Sequence, residues 1–259
     1  MTDRQLAPVP VQLPLRRWGR PDGVRHALLL HGLTSSAACW WRVADEMAAA
    51  GWVVTAPDLR GHGDAPRTVR YDIAGFAADV LDLTPPSPDG APRPWDLVVG
   101  HSLGGVVATA AAGTEPGWAA RLLLVDPVIT VATDLAAEVT AELDASQEAL
   151  SAANPLWHPE DAFLKAQAAR QTTPHVVESF FRHNVPWSYE ETLAATACPV
   201  TVLAADPDRG PTFTAAEGLR LAAAKADFTW STVPGAGHSV HRDNPEAVVA
   251  AALAGQAPH

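Results

Sequence analysis

The chain of 259 residues carries 29 Asp and Glu against 18 Lys and Arg, a formal net charge of −11, and 47% of it is hydrophobic. That apolar fraction argues against a disordered chain, and the length allows one sizeable core with a small inserted subdomain. An acidic surface with no offsetting basic patch repels phosphate backbones and anionic membranes, so neither nucleic acid nor a membrane is expected as a partner.

The first residues, MTDRQLAPVPVQLPL, hold an early acid and three prolines and lack the apolar core of a signal peptide. No apolar run reaches the about 18 residues of a membrane span. A soluble cytoplasmic protein is therefore expected, and a homo-oligomer is compatible with the sequence. The two cysteines, Cys39 and Cys198, lie far apart in sequence and are expected to be reduced and buried. They have no His or Cys partners at metal-site spacing, so no metal and no cofactor is expected.

Taken in order, the pattern predicts a strand over Val11 to Arg17, a turn over Gly19 to Gly23, and a buried strand over His26 to His31. A helix follows over Ser36 to Ala50, with Trp40, Val43 and Met47 on one side and Gly51 as its stop. Trp52 to Ala56 reads as a strand, Ile73 to Leu83 as a helix, and the proline-rich 84–94 as an exposed loop. Trp95 to Val99 is a strand, a helix begins at Leu103, and Arg121 to Val125 is a strand closed by Asp126-Pro127. Strands alternating with helices predict an α/β fold with a mostly parallel sheet covered on both faces. The rhythm fails between about Val128 and Ala195, where helices are predicted over Asp134 to Leu150, Pro159 to Gln171 and Pro174 to His183. The stretch is longer than an ordinary connection and reads as an inserted helical cap. The division is therefore a core of 1–127 and 196–259 with a cap of 128–195. The sheet resumes at Pro199 to Ala204, followed by a helix over Thr214 to Ala224, a strand over Phe228 to Val233 and a closing helix over Pro245 to Leu253.

The chemistry concentrates at strand ends. Gly100-His101-Ser102-Leu103-Gly104 matches G-x-S-x-G between a strand and a helix, the context in which a serine hydroxyl is exposed on a strained turn. Serine needs a base and an orienting acid. Among ten histidines, His238 stands in a glycine-rich loop after the last strand, with His241 as runner-up. Asp206 and Asp208 end the strand PVTVLA, and Asp126 ends RLLLV. Each can serve as the acid, and the chain order Ser, Asp, His favours these over Asp58, which ends WVVTA and precedes the serine. The oxyanion donors are expected to be the N–H groups of Leu103 and of Leu33, on the loop opened by His31-Gly32.

The marks HG at 31–32, DLRGHG at 58–63, GHSLGG at 100–105, AADPDRG at 204–210 and GAGHSVHRDNPE at 235–246 together resemble the α/β-hydrolase superfamily, in its small capped branch of esterases, lactonases and carbon–carbon hydrolases. The resemblance covers essentially the whole chain. It implies an eight-stranded-type sheet, a triad of Ser102, His238 and an acid, and a cap that roofs the site. Family members usually place the acid three residues beyond a glycine that ends the strand. Ala205 stands in that glycine's place, and Asp208 falls at the acid position, with Asp206 second and Asp126 third. Relatives with an aspartate nucleophile are set aside because Ser102 occupies that position, and Arg60 in DLRGHG reads as structural.

The expected reaction is hydrolysis of a small-molecule carboxylic ester or lactone through an acyl-enzyme. Carbon–carbon bond hydrolysis of a diketone-type substrate and a non-enzymatic ligand receptor are the alternatives. His31 and four of the nine tryptophans, Trp40, Trp41, Trp157 and Trp187, are candidates for lining the pocket. No clamp for a highly charged substrate stands out, so a neutral or weakly charged one is expected.

Overall fold

The computed structural model describes residues 8–87 and 93–254. The strands are β1 Leu15–Trp18, β2 Arg25–Leu30, β3 Trp52–Pro57, β4 Leu97–His101, β5 Leu122–Val125, β6 Thr130–Val131, β7 Trp187–Ser188, β8 Val200–Ala204 and β9 Phe228–Thr232. The helices are α1 Trp41–Ala49, α2 Ile73–Leu81, α3 Leu103–Thr114, α4 Ala136–Ala141, α5 Gln147–Ala153, α6 Pro159–Gln171, α7 Pro174–Asn184, α8 Glu190–Ala195, α9 Ala215–Ala224, α10 Val240–Asp243 and α11 Pro245–Leu253. Seven strands make one sheet in the order β1-β3-β2-β4-β5-β8-β9. All neighbours pair in parallel except β1 with β3. The C-terminal ends of β2, β4, β5, β8 and β9 therefore open on one edge, where an α/β sheet collects its functional loops.

Side-chain alternation along the strands builds two cores. Leu28 and Leu30 of β2, Val98 of β4 and Leu122 and Leu124 of β5 pack against Phe76 and Val80 of α2, the apolar face of α3 and Phe180 of α7. Ala27, Leu29, Leu97, Val99, Leu123 and Val125 face the other way, onto Val43 and Met47 of α1 and Val248 and Ala252 of α11. Cys39 and Cys198 are buried and unbonded. No helix among the described residues is long and apolar enough to cross a membrane.

Several elements depart from the sequence pattern. The described sheet has seven strands, where the resemblance implied eight. Its first strand starts at Leu15, because Pro14 has no N–H for a ladder; the Pro14 carbonyl instead accepts Asp58 N–H at 2.9 Å. The first helix opens with a 3-10 turn at Ala37–Trp40 and is capped from a distance, Asp58 Oδ1 accepting Ala37 N–H at 2.8 Å. The helix expected over Asp134 to Leu150 is two, α4 and α5. Ser146 Oγ accepts Ala149 N–H and starts α5 anew, while Leu143 turns inward between them. Between β5 and β8 the chain is helical apart from the short β6–β7 ladder, which two-residue strands leave invisible to periodicity. Of the proline-rich loop at 84–94, residues 84–87 and 93–94 have no regular structure and 88–92 lie outside the described residues.

One buried ion pair fastens the loop after β3 to α2. Arg60 Nε and a terminal guanidinium nitrogen donate to Asp79 Oδ2 and Oδ1 at 2.6 and 2.7 Å, with side chains 4% and 0% exposed. The same guanidinium also donates to the carbonyls of Arg70 and Val9. Asp79→Ala leaves Arg60 buried without its counter-charge, and a loss of about 3–5 kcal/mol is expected. Urea denaturation reads it as a lower midpoint, against a shift of at most about 0.5 kcal/mol for Asp45→Ala on the exposed face of α1.

Candidate active site

Ser102 joins β4 to α3 with φ 53° and ψ −117°, a conformation that a non-glycine residue adopts only under constraint. The constraint is packing. A Cβ on Gly104 would stand 2.2 Å from the Leu30 carbonyl oxygen, so only glycine lets the first turn of α3 rest on β2. Helix geometry leaves the N–H of Leu103, the first residue of α3, without an intrahelical acceptor.

Across from it runs the loop after β2. Gly32 passes so near the nucleophile turn that a Cβ there would meet His101 Nδ1 at 2.9 Å and Ser102 Cβ at 3.1 Å. His31 holds this loop from behind. Its Nδ1 lies 2.8 Å from the Gly32 carbonyl, and its Nε2 accepts Leu59 N–H at 3.0 Å. That pair of bonds fits one neutral tautomer, protonated on Nδ1. Thr34, at φ 57°, is gripped through its carbonyl and its hydroxyl by the Lys165 ammonium of α6.

His238 lies on the loop after β9. Its Nδ1 is 2.7 Å from Asp126 Oδ2 at the end of β5. The Asp126 carboxylate is fully buried. It accepts the N–H groups of Ala205, Thr212 and Phe213, and Thr212 Oγ1 stands 2.9 Å from its Oδ2. Burial pushes this carboxyl up, but the His238 hydrogen bond and charge and the Thr212 and Ala205 N–H groups outweigh it, holding the carboxyl below its ordinary range. With Nδ1 donating to Asp126, the basic nitrogen of a neutral His238 is Nε2. His101 Nε2 donates to the His238 carbonyl at 3.0 Å, and its ring lies 4.7 Å from that of His238. Burial, with His238 and Arg242 nearby, keeps His101 well below the ordinary histidine range.

Ser102, Leu33, Leu103 and His238 line one cavity of about 670 Å³ under the cap. Val131, Leu135, Val139, Leu150, Phe181 and Trp187 give it an apolar wall. Thr34, Ser35, Trp157, Lys165, Ser239 and Arg242 also line it. Among the described residues, no group of three or more His, Cys, Asp or Glu side chains is arranged to hold a metal ion.

A family model described as the alpha/beta hydrolase family matches residues 27–252. The chain belongs to the alpha/beta hydrolase family. Among curated proteins it is similar to lipase LipV of Mycobacterium tuberculosis, 32% identical over 143 residues that cover 55% of this chain and 52% of the relative. It is also similar to the monoacylglycerol lipase of Mycolicibacterium smegmatis, 32% identical over 111 residues, covering 42% of this chain and 39% of the relative. The chain thus matches about half or less of the length of these relatives. Among solved structures, the N-formylmaleamic acid deformylase Nfo of Pseudomonas putida S16 superposes with a TM-score of 0.75 at 21% identity, over 93% of this chain and 96% of that one. Esterase RhEst1 of Rhodococcus sp. ECU1013 superposes at 0.71 and 22% identity, over 95% and 97%. At that identity the likeness is one of fold.

Within this alpha/beta hydrolase, the acid beside the histidine is Asp126 and not Asp208. Asp208 is exposed on a 3-10 turn, and its N–H donates to Asp206 Oδ1 at 2.9 Å. Asp206 in turn accepts Gly235 N–H at 2.6 Å and donates its own N–H to the Ala236 carbonyl, so it anchors the loop that carries His238. Both acids end a strand at the correct sheet edge, but the loop after β8 turns their carboxylates away from the imidazole. Three pocket candidates are also displaced. His31 is buried behind the loop it orients, outside the cavity lining. Trp40 is 1% exposed in the core and packs 4.6 Å from the His241 ring. Trp41 donates Nε1–H to Asp161 of α6 at 2.9 Å and ties the core to the cap. Trp157 and Trp187 do line the cavity. The sequence reading missed His101, Thr212 and Arg242. No local motif marks Thr212, whereas Arg242 lies inside GAGHSVHRDNPE and His101 inside the serine motif, with roles visible only through their contacts. Lys165 and Arg242 both line the cavity.

Burial lowers His31 from 6.5 to about 4 and His62, whose Nδ1 lies 2.9 Å from the Arg60 carbonyl, to about 3. Between those values and 6.5 the unfolded chain binds more protons than the folded one. The stability these rings contribute is complete above pH 6.5 and is lost as the pH falls toward 4 and then 3. Urea midpoints are expected to fall between about pH 7 and about pH 5, and His62→Gln is expected to flatten that slope. A midpoint constant across this window would contradict the neutral buried rings.

Proposed function

We propose that this protein is a serine hydrolase that cleaves a carboxylic ester or lactone through an acyl-enzyme. The observation that carries the reading is the strained Ser102 on the wall of the same cavity as His238, whose Nδ1 is bonded at 2.7 Å to the buried Asp126. In this reading Ser102 Oγ attacks the substrate carbonyl while His238 Nε2 takes its proton. Asp126 holds the imidazole in the tautomer that exposes Nε2 and stabilises the imidazolium. The N–H groups of Leu33 and Leu103 receive the oxyanion of the tetrahedral intermediate. Collapse of the intermediate expels the alcohol, which takes the proton from His238. Water, activated by the same ring, then attacks the acyl-enzyme and releases the acid and Ser102.

Asp206 serves this chemistry at a distance, by fixing the loop of His238, and Asp208 has no part in it. The apolar wall suits a hydrocarbon portion of the substrate. The lipase and esterase relatives lend the ester reading further support.

Proton release at constant pH, followed over short and long acyl esters and lactones, tests the assignment. Ser102→Ala is expected to abolish turnover. Asp126→Asn is expected to lower kcat by about 10⁴ while leaving the fold intact, the scale known for a triad whose acid becomes an amide. Asp208→Asn is expected to stay within about threefold of the parent, as an exposed side chain outside the site should. Turnover that survives in S102A, or falls more in D208N than in D126N, would overturn the assignment.

A further inference from the structure

Five titratable or charged side chains line the cavity: His101, Glu142, Lys165, His238 and Arg242. His238 has its carboxylate and His101 is held neutral. The two cations are different. Two deeply buried cations away from the cavity have carboxylate partners, Arg60 with Asp79 at 2.6 Å and Lys225 with Asp227 at 2.7 Å. Neither Lys165 nor Arg242 forms an ion pair among the described residues. Nearby acids are committed elsewhere. Asp161 pairs with Arg42 and accepts Trp41 Nε1–H, and Asp243 accepts Gly237 N–H. Glu142 is exposed on the cavity rim, beyond ion-pair distance.

Arg242 is 2% exposed. Its terminal nitrogens donate to Ser239 Oγ and Ser35 Oγ at 3.1 Å, and its guanidinium carbon lies 4.8 Å from the centre of the Trp157 ring. Among the described residues its Nε–H has no hydrogen-bond partner, while burial raises the Cys39 thiol and the nearby guanidinium helps to bring it below its ordinary range. A buried guanidinium with an idle donor is costly unless an acceptor completes it, and an anionic acceptor also offsets its charge. Lys165 donates two of its three N–H bonds to Thr34, which leaves the third free. Burial and the neighbouring Arg242 charge bring its ammonium down to about 8, so it still carries its proton at neutral pH. Two cations in mutual repulsion, both on the wall of a largely apolar cavity, make an arrangement that an incoming anion would relieve.

We propose that Lys165 and Arg242 form a carboxylate-binding subsite, so that the substrate is an ester bearing a free carboxylate, such as the half-ester of a dicarboxylic acid. The ester part of this statement rests on the serine-hydrolase reading, and the subsite itself does not. Lys165 comes from the cap helix α6, and Arg242 from α10, four residues beyond the histidine. A bound carboxylate would therefore bridge cap and core. It would also lie against the loop of Thr34 and Ser35, directly after the oxyanion donor Leu33. The apolar wall then accommodates the methylene chain between the carboxylate and the ester.

The test compares monoethyl succinate, monoethyl adipate and monoethyl suberate with their diethyl counterparts, using the full chain. Wild type is expected to favour at least one half-ester over its diester by about tenfold or more in kcat/KM, the worth of a charge-assisted hydrogen bond. Lys165→Met is expected to reduce that ratio by about tenfold, and Arg242→Gln by as much or more. Lys165 is partly exposed, so K165M keeps the test usable if R242Q does not fold. Adipate binding is measured separately by calorimetry on S102A and on S102A carrying K165M. Binding to the first that weakens about tenfold in the second supports the subsite even where no ester is turned over, in which case the ester reading alone fails. Diesters preferred in wild type, a ratio unmoved by K165M, or adipate that binds both proteins equally would overturn the subsite.

Discussion

The closeness of α3 to β2 governs the site. The Leu30 carbonyl oxygen would stand 2.2 Å from a Cβ on Gly104, so helix and strand backbones are in direct contact where the serine turn begins. That contact forces the chain to reverse within one residue, which gives Ser102 its positive φ. It also brings the end of β2 next to the start of α3, so the loop through Gly32 and Leu33 has to leave directly over Ser102. The histidine and its acid arrive from β9 and β5 at the same edge because parallel strands share a direction. Packing at two glycines and the direction of the strands together place four loops around one cavity.

Burial then sorts the charges by partner. Arg60 and Asp79 neutralise each other below the DLRGHG loop, and Lys225 pairs with Asp227. Asp126 keeps its charge at full burial through three backbone N–H groups, Thr212 and His238. At the cavity, Lys165 and Arg242 form no ion pair among the described residues. Structural ion pairs are closed within the chain, whereas in the proposed carboxylate subsite the cations would stay open for the incoming anion, at some cost in stability.

The sequence made the alternating sheet, the interrupting helical stretch and the strand-to-helix turn of Ser102 legible, because each rests on local periodicity or on glycine spacing. It misled where local signals are equal. Asp126, Asp206 and Asp208 all end strands on the same sheet edge, and pattern cannot say which carboxylate faces the ring. The three-dimensional distinction is burial with donors: Asp126 has them, while Asp206 is taken up by Gly235 and Asp208 stands in solvent. Trp40 and Trp41 are adjacent in sequence yet serve the core and the cap contact, since a 3-10 turn passes into α1 between them. The meeting of Lys165 with Arg242 was illegible because it depends on how α6 settles onto the core, a long-range contact with no counterpart in spacing.

The histidines show how environment assigns one residue type to different tasks. His31, His62, His101, His238 and His241 cluster around the edge of the sheet, with rings within 4.4 to 5.3 Å of a neighbour. Burial forces His31, His62, His101 and His241 to stay neutral. As neutral rings they act as fixed donors and acceptors, His31 for Gly32 and Leu59 and His101 for the His238 carbonyl. A charge on any of them would have no counter-ion in hydrogen-bond contact and would repel its neighbours. His238 alone is bonded to a carboxylate, and it alone of the five is partly exposed. In the proposed mechanism a proton taken from Ser102 would reside on one imidazole in the cluster, while the surrounding rings hold that imidazole's backbone and the loop of Gly32 in place.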